Sequence, residues 1–375
     1  MVRKAKKNTR KFAGVELPAK SKRSHLTNSL CPICSIVPPY ILREIAQRGT
    51  ESQRDLAFQT LNVSAQIRGR REVVGKIFSG FLLAPTGEKR RTVYDAKHRT
   101  RLPGTRVRSE GAPASKDVAV NEAYDGAGAT YDLYYEVFGR NSIDGNGMRL
   151  DSTVHYSRNY DNAFWNGSQM VYGDGDGEIF QRFTKSIDVI GHELTHGVTQ
   201  FTANLEYQDQ PGALNESMSD VFGSLVKQRV LNQTAEQADW LIGEGLFTPD
   251  VQGVALRSMK APGTAYDDPV LGKDPQPAHM DNLYTGTRDN GGVHINSGIP
   301  NRAFYLAATE IGGYAWEKAG KIWYTALTTR LKPDSDFADA ANITIEIAGQ
   351  LYGEDSPEQN AVRNGWTTVG VISSQ

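Results

Sequence analysis

Apolar positions recur at helical spacing from about residue 186 to the C terminus. They predict helices over 186–201, 215–232, 295–312 and 313–330, joined by irregular loops. Two more helices follow within "DFADAANITIEIAGQLYGEDSPEQNAVRNGWTTVGV" (336–371). Between about 73 and 185 the pattern is shorter and more strand-like. "EVVGKIFSGFLLAP" and "RRTVYDAKHRTRLPG" are bounded by glycine, proline and aspartate. One aromatic helical run, "TYDLYYEVFGR" (130–140), interrupts that region. Nearer the front, Ile41, Leu42, Ile45, Leu56, Leu61 and Ile67 follow a rough helical spacing behind Pro38 and Pro39. They predict one or two short helices ending at Arg68, Arg70 and Arg71. Residues 1–30 read as unstructured, and no internal repeat is visible.

Composition sharpens this picture little. The chain has 375 residues, 39% of them apolar, which is enough for two domains or for one with an appendage. A net charge of -1 gives no global field that favours nucleic acid, and no apolar run is long enough to span a bilayer. The charge is uneven: residues 1–24 carry nine lysines and arginines against the single acid Glu16. No apolar segment follows them, as a secretory signal would require, and there is no twin-arginine pair. The tail reads as solvated and disordered. The two cysteines, Cys31 and Cys34, form "CPIC"; they could be half a zinc knuckle, a redox pair or two reduced thiols. The body that follows has no disulfide of its own. "GDGDGE" (173–178) resembles the start of a calcium loop, but the twelfth position is Lys185, so it reads as a glycine-rich turn.

The sharpest chemical signal is "IDVIGHELTHGVTQ" (187–200). Residues four apart on a helix share a face, so His192 and His196 can present imidazoles to one ion. A pair of core histidines is the plain alternative. "ALNESMSDVFGSL" argues against that by supplying Glu216 as a third ligand, a set that suits catalytic zinc with one open position. Asp220, one turn further on, and Asn215 could fix the tautomers of the two histidines. Thr199 and Thr202 stand where a metzincin would have glycine and histidine. Glu193 would sit beside the open position as a base. Tyr207 and His294 are candidate donors to a developing oxyanion, with Asp289 orienting His294. A closed structural zinc site would have no use for Glu193. An aminopeptidase would need an acidic motif for the substrate's amine, and none is present.

"GHELTH", "NESMSD", "DNGGVHINSGI" and "NAFWNGSQMVYGDGDG" together resemble the thermolysin-like zinc endopeptidases from about residue 75 to the end. The segment with "VPPYIL" resembles the short propeptide of the protealysin-like subgroup. The resemblance implies an α+β, two-lobed fold: a propeptide over 1–72, a β-rich lobe over 73–202 that includes the zinc helix at the cleft floor, and a helical lobe over 203–375. It implies Zn2+ on His192, His196 and Glu216, with Glu193, Tyr207, His294, Asp220 and Asp289 in the roles given above. Asn162 and Ala163 match an edge strand that pairs with substrate, and Arg257 matches an arginine that binds a substrate carbonyl. Phe180, Phe183, Val189 and Leu256 match an apolar pocket, implying cleavage before Leu, Phe, Val or Ile. Asp188 and Glu244 match acids of a paired calcium site whose bridging acid is here Lys227, so calcium is not expected to be required. The front segment, including Cys34, Pro38, Pro39 and Tyr40, is expected to block the cleft, with Cys34 either packed there or bound to zinc. Self-cleavage is expected near Arg68, Arg70 or Arg71. The expected product is a monomeric neutral endopeptidase acting on proteins and peptides. It would be secreted without a cleaved signal, with the cytoplasm as the alternative location.

Overall fold

The computed structural model describes residues 35–74 and 87–373, with the side chains of 66–74 left out of the description. Pro38 sits at φ -62°, ψ 145° and caps α1 (Pro39–Arg48), whose Ile41, Leu42 and Ile45 are buried. After Gly49 the chain reverses into α2 (Glu51–Val74). Arg68, Arg70 and Arg71 therefore lie within a helix that continues past the point where it was expected to end. The tail through Cys34 and the 75–86 portion of "EVVGKIFSGFLLAP" lie outside the described residues.

Five strands form one sheet: β1 (Arg91–Asp95), β2 (Thr105–Ser109), β3 (Leu150–Val154), β4 (Ala163–Trp165) and β5 (Met170–Tyr172), in the order β2-β1-β3-β5-β4. β1 pairs antiparallel with β2 and parallel with β3, β3 runs parallel to β5, and β4 closes the row antiparallel to β5. β4 is thus an edge strand, and its outer side meets the front segment through an antiparallel bridge between Ser35 and Phe164.

One expectation fails here. The helix predicted over 130–140 begins earlier, as α3 (Val118–Asp132), and continues into a π-helical turn over Leu133–Val137. Gly126 and Gly128 weaken the helical signal at its start. They are needed for packing: a Cβ on Gly126 would lie 2.4 Å from Ile190. "GDGDGE" is a turn, with Gly175 and Gly177 at positive φ. The Asp176 carboxylate accepts from the amides of Glu178, Ile179 and Phe180.

The remaining body is mostly helical, with two short strand pairs, Leu241–Ile242 with Arg257–Ser258 and Asp267–Asp268 with Gly272–Lys273, in the long connection after its second helix. α4 (Ile187–Gln200) and α5 (Asp209–Leu231) lie side by side at its centre, almost entirely buried. Gly191 and Gly223 let them touch, since a Cβ on Gly191 would meet the Gly223 Cα at 3.0 Å. α6 (Arg288–Asn296) and α7 (Gly298–Ile311) divide the predicted 295–312 helix at Ser297. α8 (Ala319–Thr329) starts later than predicted, and α9 (Phe337–Tyr352) and α10 (Pro357–Thr368) complete the chain. One apolar cluster runs from α1 through the sheet and α4 to α10, burying Trp165, Trp240, Trp323 and Trp366. Among the described residues no helix is long and apolar enough to cross a membrane.

Candidate metal centre and cleft

α4 and α5 bring three side chains together. The Nε2 atoms of His192 and His196 lie 3.0 Å apart, and Glu216 reaches each of them at 3.5 Å. His192 Nδ1 faces Asp220 Oδ1 at 2.8 Å, and His196 Nδ1 faces Asn215 Oδ1 at 2.9 Å and Ser219 at 3.0 Å. A carboxylate and an amide oxygen accept only, so each Nδ1 carries the proton and each Nε2 keeps its lone pair. Two lone pairs and the partnerless, buried Glu216 Oε2 then converge with no proton among them. That set suits a divalent cation with nitrogen and oxygen ligands, and zinc fits it. Burial lowers the pKa of His196 to about 3, keeping the ring neutral. Among the described residues this is the one group with metal-ligand spacing.

Asp220 is the hub behind the ligands. Besides His192 it accepts two hydrogen bonds from Arg257, both at 2.8 Å, and one from Asn301 at 2.9 Å. Burial alone would raise its pKa, but Arg257 and then His192 outweigh burial and hold it below the ordinary carboxylate range. Asn301, Ser219 and the Trp165 amide were not legible in the sequence. Asn301 and Trp165 arrive from distant positions, without the periodic spacing that marks the ligands, while Ser219 lies beside Asp220 on α5 as an ordinary small polar residue.

Glu193 is fully buried beside the cluster, and its Oε2 accepts from the Trp165 amide at 3.0 Å. Burial, then the Glu216 charge, raises its pKa well above the usual value. Tyr207 donates to Glu216, and its hydroxyl lies 3.0 Å from His294 Nε2. Asp289, Asn290, Gly291 and Gly292 all take left-handed backbone, turning the chain so that Asp289 holds both the amide and Nδ1 of His294. Burial alone would lower the His294 pKa; Asp289 and Glu216 outweigh it and raise the value to about 9.

The front segment lies in the cleft. Ile36 donates to Ala163 O at 3.2 Å, Asn162 exchanges two hydrogen bonds with Val37 at 2.9 and 3.1 Å, and Arg257 donates to Ile36 O at 3.1 Å. Phe180, Phe183, Val189 and Leu256 are buried in one cluster with Ile36. Pro38 and Pro39 end the pairing, and Tyr40 turns its hydroxyl toward Tyr266 and Asp274. The backbone contacts thus come from Ile36 and Val37, between the singled-out Cys34 and Pro38 in the segment expected to block the cleft. Cys34 lies outside the described residues, so its proposed place at zinc has no geometry here.

A buried two-histidine, one-glutamate centre with an adjacent glutamate, between a β-rich and a helical lobe, defines a metallopeptidase of the H-E-x-x-H type. Residues 79–200 match the thermolysin metallopeptidase catalytic domain, 203–371 its alpha-helical domain, and 34–68 the protealysin propeptide. The chain belongs to the thermolysin family of zinc-dependent neutral metalloproteases and carries a protealysin-type propeptide. It is 53% identical over 346 residues to an extracellular metalloprotease of Pectobacterium carotovorum subsp. carotovorum, covering 91% of this chain and 97% of that one. It is 51% identical to protease PrtS of Photorhabdus sp. (strain Az29), covering 90% and 91%. The solved precursor of protealysin, a metalloproteinase from Serratia proteamaculans, superposes with a TM-score of 0.83 at 55% identity. That match covers 90% of this chain and 100% of the precursor.

Proposed function

We propose that the chain is the latent precursor of a secreted endopeptidase that cuts before bulky apolar residues, held shut by its own residues 35–74. His192, His196 and Glu216 hold the zinc, which when bound acidifies a water and polarises the substrate carbonyl. Glu193 takes the proton of the attacking water and returns it to the leaving amine, its buried carboxylate anchored by the Trp165 amide. Tyr207 and His294 donate to the oxyanion that develops, and Asp289 fixes the His294 ring. Asp220 orients His192 and Arg257 together, tying ligand position to substrate position.

The observation that carries this reading is a proton-free His192–His196–Glu216 cluster with Glu193 beside it, under an edge strand already paired with peptide. Asn162, Ala163 and Arg257 would hold substrate as they hold Ile36 and Val37. Phe180, Phe183, Val189 and Leu256 would favour Leu, Phe, Val or Ile after the scissile bond. The working divisions are 1–72, 73–202 and 203–375. The cleft is completed within one chain, so a monomer suffices. Secretion is supported by the extracellular metalloprotease relative.

Calcium is not required at the paired site. Lys227 Nζ lies 2.7 Å from Asp239, 3.2 Å from Glu244 and 3.7 Å from Asp188, so an ammonium already neutralises those acids. The decisive experiment compares wild type with Glu193→Ala against a peptide library, with and without a zinc chelator. The variant should keep its zinc and lose hydrolysis; hydrolysis by a zinc-replete Glu193→Ala enzyme would contradict the assignment.

A further inference from the structure

The front segment is not merely wedged into the cleft; it is threaded there in register. Ser35, Ile36 and Val37 are all buried, and they meet β4 as an added antiparallel strand. Each peptide bond of this stretch can be assigned by what its atoms face. The Ile36–Val37 bond has its carbonyl taken by Arg257 and its nitrogen by Asn162. The Ser35–Ile36 bond is different. Its nitrogen donates to Ala163 O at 3.2 Å, on the same short strand whose Trp165 amide holds Glu193, the group that would return a proton to a leaving amine. The residue that follows this bond, Ile36, is fully buried in the apolar cluster that also holds Phe180, Phe183, Val189 and Leu256. It is an apolar residue of the kind the proposed pocket would select.

We propose that the precursor hydrolyses its own Ser35–Ile36 bond while residues 36–74 stay docked, so that the front segment is first a substrate and then a bound product. The inference rests on the peptidase reading given above. In the step, the oxygen of water bonds to the Ser35 carbonyl carbon and the bond from that carbon to the Ile36 nitrogen breaks. One water proton passes through Glu193 to the Ile36 nitrogen, and the other is released to solvent as the Ser35 carboxyl ionises. Residues 1–35 depart. The new Ile36 amine keeps Ala163 O as its acceptor, and Val37 keeps both hydrogen bonds to Asn162.

The cut does not open the cleft by itself. Pro38 and Pro39 lead directly into α1, and α2 fastens the segment elsewhere. Thr60 accepts the Asp161 amide at 3.2 Å, Ser64 meets the Tyr160 hydroxyl at 2.9 Å, and Gln59 reaches Arg158 O at 3.2 Å. The nicked chain therefore stays latent until a second cut beyond α2 frees the segment.

The test follows the mass and N-terminal sequence of the full-length zinc-loaded chain with time, at several dilutions. Peptide hydrolysis by the fully processed enzyme is measured in parallel. The expected result is loss of residues 1–35, a new N terminus at Ile36, and a first-order rate that does not change on dilution. Full-length Glu193→Gln should stay intact even when mixed with active enzyme, because its Ser35–Ile36 bond is buried in its own cleft. Ile36→Asp should slow the cut about tenfold or more, since a carboxylate is refused by an apolar pocket. A precursor whose Ser35–Ile36 bond stays whole although the processed enzyme hydrolyses peptide overturns the self-cleavage alone. A rate that falls on dilution overturns it too. Absence of hydrolysis by the processed enzyme overturns both readings.

Discussion

Replacing Lys227 by methionine tests how a cation built into the chain substitutes for one taken from solution. The three acids around Lys227 are not equivalent. Asp239 and Glu244 are 32% and 53% exposed, so each pairing is worth at most about 1 kcal/mol. Asp188 is buried, and its remaining donors are the amides of Gly243 and Val189. Methionine keeps most of the stem volume and leaves Asp188 without its counter-charge. Breaking a buried pair from one side costs about 3 to 5 kcal/mol; the two amides that stay place this case near 3 kcal/mol. At about 2 °C per kcal/mol for a body of this size, the melting midpoint should fall by on the order of 6 °C. The assay is a thermal scan in a Glu193→Gln background, which prevents self-digestion, with zinc held constant and calcium either added or chelated. Wild type should be indifferent to calcium, Lys227→Met should melt earlier, and Lys227→Glu should regain stability when calcium is added. An unchanged midpoint in Lys227→Met, or a wild type that melts much earlier once calcium is chelated, would refute the reasoning.

Two further predictions probe separate parts of the molecule. Thr60→Val leaves the buried Asp161 amide without its acceptor and should weaken docking of the front segment by about 1 to 3 kcal/mol; the check is increased peptide hydrolysis by the uncut precursor. His155 is held between Asp174 and Asp117, which raise its pKa from 6.5 to about 9, the Asp174 hydrogen bond contributing most. A raised pKa stabilises the fold fully below the unfolded value of 6.5 and loses that contribution as pH climbs through about 9. The stability gap between wild type and His155→Gln, measured by urea unfolding, should therefore shrink across that window; a gap that widens would contradict the assignment.

Much of the centre was legible because it is local. His192, Glu193 and His196 share one helix, and Glu216 and Asp220 share the next, so helical periodicity puts the two histidines on one face and the two acids on another. What could not be read depends on long-range packing. Asn301 reaches Asp220 from α7, and Trp165 anchors Glu193 from β4. α3 was misread at its start because Gly126 and Gly128 weaken its helical signal, although Ile190 and Arg91 leave no room for larger side chains there. The strand order β2-β1-β3-β5-β4 has no periodic signature at all. The prolines drew attention to the front segment because they stand out in a sequence. Ile36 and Val37 lie in the segment expected in the cleft, but they are ordinary strand formers, and their part in the backbone pairing becomes visible only in register against β4.

The account turns on His192, His196 and Glu216 sharing one zinc, and the most direct test is zinc per chain by elemental analysis of purified wild type and His196→Ala. The prediction is one tightly held zinc in wild type and loss of that zinc in the variant, with circular dichroism showing that both are folded. A folded His196→Ala chain that keeps its full zinc, or a folded wild type that holds none after zinc is supplied, would contradict it.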